Sequence, residues 1–268
     1  MTAMPAPALA VVDGRLMDAA EAVVPVADPG LLRGDGVFEV VRVYRGRPFA
    51  LADHLERMAR SARGLRLELD MAAVGADARA LLDAAPGFDG LLRLVATRGG
   101  RRIGLLEPLP DRGGAVRLAT VTYSPTRLLD GIKSLSYAAN MLAGRIAVER
   151  GADEALLVRP GGRVLEGPTW ALFASLDGET LVTPPLWEGI LDSITRRRLL
   201  RLMDGVAEAP LLVDRLAEVR EAFIASTTRE VQPVASIDGR ELPVVDGPLT
   251  REAAERFRAH VAEVTGAA

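Results

Sequence analysis

The sequence predicts an α+β protein of two domains. Three observations carry this. Residues 1–122 set short β-branched segments around helical stretches, whereas residues 132–268 open on a long helix and continue mainly as strands. Between them, 123–131 lacks periodicity and contains Ser124-Pro125, so the inter-domain loop is placed there. A chain of 268 residues, 49% hydrophobic and 26% charged, is long enough to bury a core in each half.

The elements follow in order. Ala8 to Val12 is a short apolar strand, and Asp13-Gly14 after it is a hairpin signal. Gly36 to Tyr44 alternates in part and is β-branched, and Arg45-Gly46-Arg47 turns it into a second strand over Pro48 to Leu51. Leu55, Met58, Ala59, Ala62 and Leu65 fall at helical spacing, which predicts a helix from Asp53 to Leu67 with Asp53 as N-cap. Another helix covers Ala72 to Ala84, and strands cover Gly90 to Thr97 and Ala115 to Thr122. The second half begins with a helix from Ser136 to Arg150, stopped by Gly151. Strands are expected at Glu154 to Val158, Arg163 to Leu165, Ala171 to Ser175, Thr180 to Val182 and Ala222 to Ser226. Helices are expected from Ser193, over Arg215 to Val219, and over Arg251 to Val264.

Composition narrows the chemistry. A net charge of −3 gives no basis for nucleic-acid binding, and Arg196-Arg197-Arg198 reads as a solvated helix face. With no cysteine, disulfides, zinc–thiolate sites and cysteine nucleophiles are excluded. Two separated histidines, His54 and His260, leave little for a metal site, and none is expected. There is no apolar run of 18 residues and no basic leader in Met1 to Ala10, so a cytoplasmic protein without a membrane partner is expected.

Lys133 is the only lysine among 33 basic residues. Arginine replaces lysine wherever a fixed charge suffices, but its pKa above about 12 prevents it from acting as a neutral amine. A lysine surviving that bias is a candidate nucleophile or base, unless it is a chance survivor on the surface. It sits in Gly131-Ile132-Lys133-Ser134-Leu135-Ser136-Tyr137, where a loop enters a helix. Thirty-three positions on, Val164-Leu165-Glu166-Gly167 is a strand ending in a carboxylate. An imine-forming lysine and a carboxylate facing a pyridine nitrogen are the two groups pyridoxal phosphate requires from a protein. Alone, Glu166 reads as an ordinary strand-end acid. For the phosphate, Gly189 to Arg196 runs from a loop into a helix and offers the amides of Ile194 and Thr195. Ser226-Thr227-Thr228 adds hydroxyls after a strand, where such runs are also ordinary turn chemistry.

Together these pieces resemble a class IV aminotransferase, the fold-type IV pyridoxal-phosphate group of branched-chain and D-amino acid aminotransferases, R-selective amine transaminases and aminodeoxychorismate lyase. Gly34-Asp35-Gly36-Val37-Phe38-Glu39 resembles the family's first-strand motif, and His54-Leu55-Glu56-Arg57 with Ser61-Ala62 its helix motif. Lys133, Gly151 to Ala155, Glu166-Gly167, Thr183-Pro184-Pro185, Ile194-Thr195-Arg196 and Ser226 to Val234 follow in the family's order.

The resemblance implies a small N-terminal α/β domain and a larger domain with a β-barrel-like core and flanking helices. It also implies a homodimer with its active site between the domains. Lys133 would carry the cofactor imine and shuttle protons, its pKa lowered by burial near a cationic ring. Glu166 would pair with the pyridinium nitrogen, and Arg57, Ile194, Thr195 and Thr227 would hold phosphate. Tyr137 would either bond the ring hydroxyl or simply pack. Phe38 and Thr228 would face substrate. Independently of the resemblance, Arg42, Arg98, Arg101 and Arg102 offer several ways to bind a substrate carboxylate, which either transamination or elimination could use.

Three residues depart from the family pattern. Ala171 stands where an Asn is usual, Ser193 where a Gly is usual, and Phe38 lacks the hydroxyl that D-amino acid aminotransferases use against the substrate carboxylate. The implied reaction moves an amino group between an amino acid or primary amine and a 2-keto acid. The alternative is aminodeoxychorismate lyase chemistry, suggested by Lys133 to Met141 and Glu166 to Thr169. A non-catalytic relative is the third reading, and retention of both Lys133 and Glu166 argues against it.

Overall fold

The computed structural model describes residues 9–111, 113–124 and 127–266. The start Met1 to Ala8 and Pro125 of the expected connection lie outside the described residues. The chain divides into two compact units that interleave in sequence: 1–111, 132–137 and 261–268 form one, and 112–131 with 138–260 the other. Strand residues 116–122 thus belong with the second unit's sheet, whereas the short stretch 132–137 lies along the strand Gly36–Tyr44 of the first.

In the first unit the strands are β1 Leu9–Val12, β2 Arg15–Asp18, β3 Gly36–Tyr44, β4 Arg47–Pro48, β5 Gly90–Thr97 and β6 Arg102–Glu107, with helices α1 Pro29–Arg33, α2 Leu51–Gly64 and α3 Met71–Ala84. They form one antiparallel sheet in the order β2-β1-β6-β5-β3-β4. Alternation along β3 sends Val37, Glu39, Val41 and Val43 to one face and Phe38, Val40 and Arg42 to the other. The valines pack with Leu92 and Leu94 of β5 and with Met58 and Leu81 of the helices. Strand β6 was not expected, because Arg102-Ile103-Gly104 interrupts its apolar pattern with a charge and a glycine. Helix α2 starts at Leu51 with Ala50 as N-cap (φ 54°), so Asp53 lies in its first turn rather than capping it.

The second unit holds β7 Val116–Thr122, β8 Glu154–Val158, β9 Ala171–Ser175, β10 Val182–Thr183, β11 Ala207–Glu208, β12 Glu221–Ser226, β13 Glu230–Ile237 and β14 Arg240–Glu241. Its helices are α4 Ala138–Glu149, α5 Ile194–Leu202 and the greater part of α6 Pro248–Thr265. The strand order is β11-β10-β9-β12-β13-β7-β8, with β14 beside β13. Bridges Val158–Val164 and Arg163–Leu212 carry the pairing on from β8, so the sheet curls toward closure. Leu118, Leu156, Trp170, Leu172 and Ile224 fill its interior. On the outer face of β7 and β8, Ala119, Val121 and Leu157 pack against Ala143 and Ala147 of α4. Burial of both faces is what parallel strands require.

Several expectations change here. Arg163 to Leu165 forms isolated bridges rather than a strand, and Arg215 to Val219 belongs to a 3₁₀ turn over Val213–Glu218. Arg196 is no solvated residue. It is buried in α5 and donates to Thr183 Oγ1 (3.2 Å), the Pro184 carbonyl (2.8 Å) and Glu208 (2.7 Å), tying the helix to β10 and β11. Among the described residues no helix is long and apolar enough to cross a membrane.

Candidate active site

In the first unit the lysine segment is laid along the start of β3. The Phe38 N–H donates to the Lys133 carbonyl (3.1 Å), and the Leu135 N–H donates to the Gly36 carbonyl (2.8 Å). The Lys133 N–H donates to Ser61 Oγ of α2 at 3.1 Å. Gly36 makes this approach possible: a Cβ there would lie 2.4 Å from the Ala96 carbonyl oxygen and 2.6 Å from the Leu135 side chain. The glycine motif seen in the sequence is therefore a docking surface for the lysine segment. Lys133 Nζ rests 4.2 Å from the centroid of the Phe38 ring and 5.7 Å from that of Tyr137, and the two rings meet edge to face at 5.3 Å.

Behind β3, on its opposite face, lies a buried charge cluster. Glu39 accepts from Arg57 Nε and Nη2 and from His54 Nδ1, each at 2.7 Å. His54, Arg57 and Ser61 occupy positions i, i+3 and i+7 of α2, so one helix stripe holds both the carboxylate and the lysine backbone. Burial raises the Glu39 carboxyl, but the Arg57 charge and the bonds from Arg57 and His54 outweigh it and hold the group down to about 2. Burial pushes His54 below its ordinary value, and the charges of Arg57 and Lys133 add to that against the opposing pull of Glu39. Arg57 thus stands as a buried guanidinium with a fixed counter-charge, not a solvated helix cation. The sequence shows His54 in the helix motif and as one of two separated histidines, whereas its bond to Glu39 depends on the packing of β3 against α2.

In the second unit Glu166 follows the extended segment beside β8. Its carbonyl accepts from the Leu157 N–H (2.9 Å), and its Oε1 accepts from the Leu191 N–H (2.8 Å). Gly167 leaves room for the indole of Trp170, which a Cβ would meet at 2.0 Å. Ser193 caps α5 by accepting from the Arg196 N–H at 3.3 Å, so this departure supplies an N-cap. Ile194 and Thr195 occupy the first two helical positions, whose amides have no acceptor within the helix. Thr227 and Thr228 lie in the tight turn from β12 to β13, where Ser226 Oγ contacts Thr228 Oγ1 at 3.3 Å. Ala171 is buried, paired with Ala225 of β12.

Each arginine expected to bind substrate is bonded within its own unit. Arg42 is buried and donates to the Gly90 carbonyl (3.0 Å) and Asp89 (2.5 Å). Arg98 pairs with Asp35 and donates to the Leu65 and Arg66 carbonyls, Arg101 pairs with Asp13, and Arg102 pairs with Asp77. Nothing in the sequence marks Arg93 as a site residue. It shares the Phe38 face of the sheet, with its guanidinium 5.9 Å from the Phe38 ring and its Nε bonded to Glu107. Only the β3–β5 register reveals that proximity.

The family model for amino-transferase class IV matches residues 36–237. The chain belongs to the class IV aminotransferases. It is 34% identical to a Methanocaldococcus jannaschii protein assigned as a branched-chain-amino-acid aminotransferase, over 92% of this chain and 94% of that one. It is 33% identical to the D-alanine aminotransferase of Bacillus licheniformis, over 89% and 92%. A hypothetical aminotransferase from Mycobacterium tuberculosis, in its pyridoxal-phosphate-bound form, superposes with a TM-score of 0.87 at 27% identity, covering 96% of this chain and all of that one. The curled sheet of the second unit is accordingly that of fold type IV.

Proposed function

We propose that Lys133, Glu166 and Arg57 are the cofactor residues of this pyridoxal-phosphate-dependent aminotransferase, which passes an amino group from an amino acid to a 2-keto acid. The observation that carries this reading is the anchoring of Lys133. Its backbone is bonded to β3 and α2, and its amine lies against the Phe38 and Tyr137 rings. The residues fit the cofactor's chemistry. They offer one primary amine, an acceptor-only carboxylate held by a backbone amide, and a capped helix N-terminus for a phosphate.

When bound, the cofactor supplies an aldehyde and a ring that accepts an electron pair from the substrate α-carbon. Lys133 would take the proton from that α-carbon and deliver one to the former aldehyde carbon of the cofactor, so that one amine serves as general base and then general acid. Glu166 keeps the ring nitrogen protonated, and so keeps the ring able to take electrons. Arg57, Ile194, Thr195 and Thr227 hold the phosphate. Phe38 gives the substrate an apolar wall with no hydroxyl for its carboxylate, which disfavours a D-amino acid-type carboxylate site at this position. The three proteins named above all carry aminotransferase names, and the lyase reading gains no support from them.

A homodimer is part of the reading. Leu142 and Val148 on α4 are exposed apolar side chains of the kind a second subunit covers, and light scattering on the eluted protein tests it. A cytoplasmic location accords with the absence of cysteine. The reaction is tested by mixing cofactor-loaded protein with L-amino acids, D-amino acids and R- or S-amines. The expected result is loss of the visible absorbance with at least one amino acid and its recovery with a 2-keto acid. No bleaching with any donor, together with p-aminobenzoate formed from aminodeoxychorismate, would overturn it.

A further inference from the structure

Tyr123, half-buried just past β7, has no part in the reaction described so far. Its backbone N–H donates to the Val158 carbonyl at 2.7 Å, and its ring packs on the cluster that contains Ala143, Leu165 and Ile190. Leu165 and Ile190 are the chain neighbours of Glu166 and Leu191, the two residues joined by the bond that holds the carboxylate. The phenol O–H donates to Asn140 Oδ1 at 3.2 Å, and the Asn140 amide donates to the Pro168 carbonyl at 3.3 Å. Hydroxyl, amide and carbonyl form a chain from β7, through the first turn of α4, to the residue two past Glu166. Ala171 brings no polar side chain to this turn, so its tether has to come from another element.

We propose that Tyr123 and Asn140 are positioning residues that hold the Glu166–Pro168 turn and so keep the Glu166 carboxylate aimed at the cofactor ring nitrogen. The proposal rests on the reading of Glu166 given above. Burial and the nearby Glu166 charge both push the Tyr123 phenol up, which keeps it a neutral donor and keeps a second negative charge away from the carboxylate.

The test is a double-mutant cycle. Tyr123→Phe keeps the packed ring and removes only the hydroxyl, and Asn140→Ala removes both bonds without touching that ring. Each is made in the wild-type and Glu166→Gln backgrounds. The dissociation constant for pyridoxal phosphate is read from quenching of tryptophan fluorescence in the apo-protein, and kcat and KM from the loaded enzyme. In the wild-type background Tyr123→Phe is expected to weaken cofactor binding about three- to ten-fold, the effect of one lost neutral hydrogen bond, Asn140→Ala at least as much because it loses two, and each to lower kcat with KM unchanged. In the Glu166→Gln background the same substitution is expected to add nothing, because its effect passes through the carboxylate. Equal effects in both backgrounds, or none in either, would overturn the proposal. If Glu166→Gln alone binds cofactor and turns over like wild type, the reading of Glu166 fails first, and this proposal with it.

Discussion

Arg57 holds Glu39 with both arms of its guanidinium fork, Nε to Oε1 and Nη2 to Oε2, each at 2.7 Å. Both residues are almost wholly buried, and such a pair is costly to break because the survivor keeps an uncompensated charge. The pair joins the strand that carries Phe38 to the helix that holds the Lys133 backbone. Stability of the fold and order in the lysine segment therefore depend on the same contact.

Acid should reveal this pair. Glu39 titrates at about 2 in the fold against its ordinary 4.5, so its contribution is complete above about pH 4.5 and is lost as pH falls through about 2. His54, lowered by burial, acts in the same direction: below its ordinary 6.5 the unfolded chain takes up a proton that the fold resists. Glu39→Gln is expected to remove roughly 3 kcal/mol at neutral pH and to flatten the acid limb of the stability curve. Urea unfolding at a series of pH values measures both. An unchanged acid limb would mean that Glu39 does not carry the acid sensitivity.

Lys133→Arg keeps the positive charge but not an accessible neutral amine. The variant is expected to fold with wild-type stability, to yield no borohydride-trapped cofactor, and to lose on the order of 10³-fold or more in kcat. Borohydride reduction followed by mass spectrometry of the tryptic peptides reads the first loss directly. Turnover near wild type would remove Lys133 from the chemistry.

Gly36→Ala tests whether the glycine motif exists to seat the lysine segment. The added methyl meets the Ala96 carbonyl and the Leu135 side chain well inside contact distance, and the carbonyl belongs to a paired strand that cannot retreat cheaply. The expected result is a loss of about 1–3 kcal/mol together with slower cofactor incorporation, since the side chain that yields belongs to the residue two past Lys133. A loss of stability with an unchanged rate of incorporation would separate the glycine from the lysine's placement.

Local chemistry was legible in the sequence where it repeats along one element. Strand β3 was read at its observed bounds from its β-branched run, and α3 to within a residue of its start. Glu166 and the α5 N-terminus stood out because each combines a residue type with an expected strand end or helix start; the helix start is there, whereas Glu166 follows isolated bridges. What stayed hidden depends on register and on packing between elements. Arg93 lies beside Phe38 only because β3 and β5 pair with Phe38 opposite Val95. Arg196 looked solvated because its partners, on β10 and β11, are a dozen residues away and no pattern links them. The arginines offered to substrate were chosen for charge alone, and charge does not say whether a carboxylate such as Asp35 or Asp77 already holds it.

Gly167→Ala addresses the second unit by the same logic. Glu166 is fixed at its carbonyl by Leu157 and at its carboxylate by Leu191, and the Gly167 N–H donates to the Trp170 carbonyl at 2.8 Å. The indole covers the glycine so closely that a Cβ would fall 2.0 Å from it, while its Nε1 is tied to Glu154 at 3.0 Å. The ring is buried against the sheet interior and cannot swing away, so the Glu166–Gly167 backbone must move instead. Overpacking of this kind costs about 1–3 kcal/mol. Moving Glu166 relative to the Leu191 amide should also weaken cofactor binding, whereas a mutation that merely destabilised the barrel would lower the melting temperature and leave affinity intact. Thermal melts of the apo-protein set beside pyridoxal phosphate dissociation constants separate the two outcomes. A lowered melting temperature with wild-type affinity would show that the glycine serves the tryptophan alone.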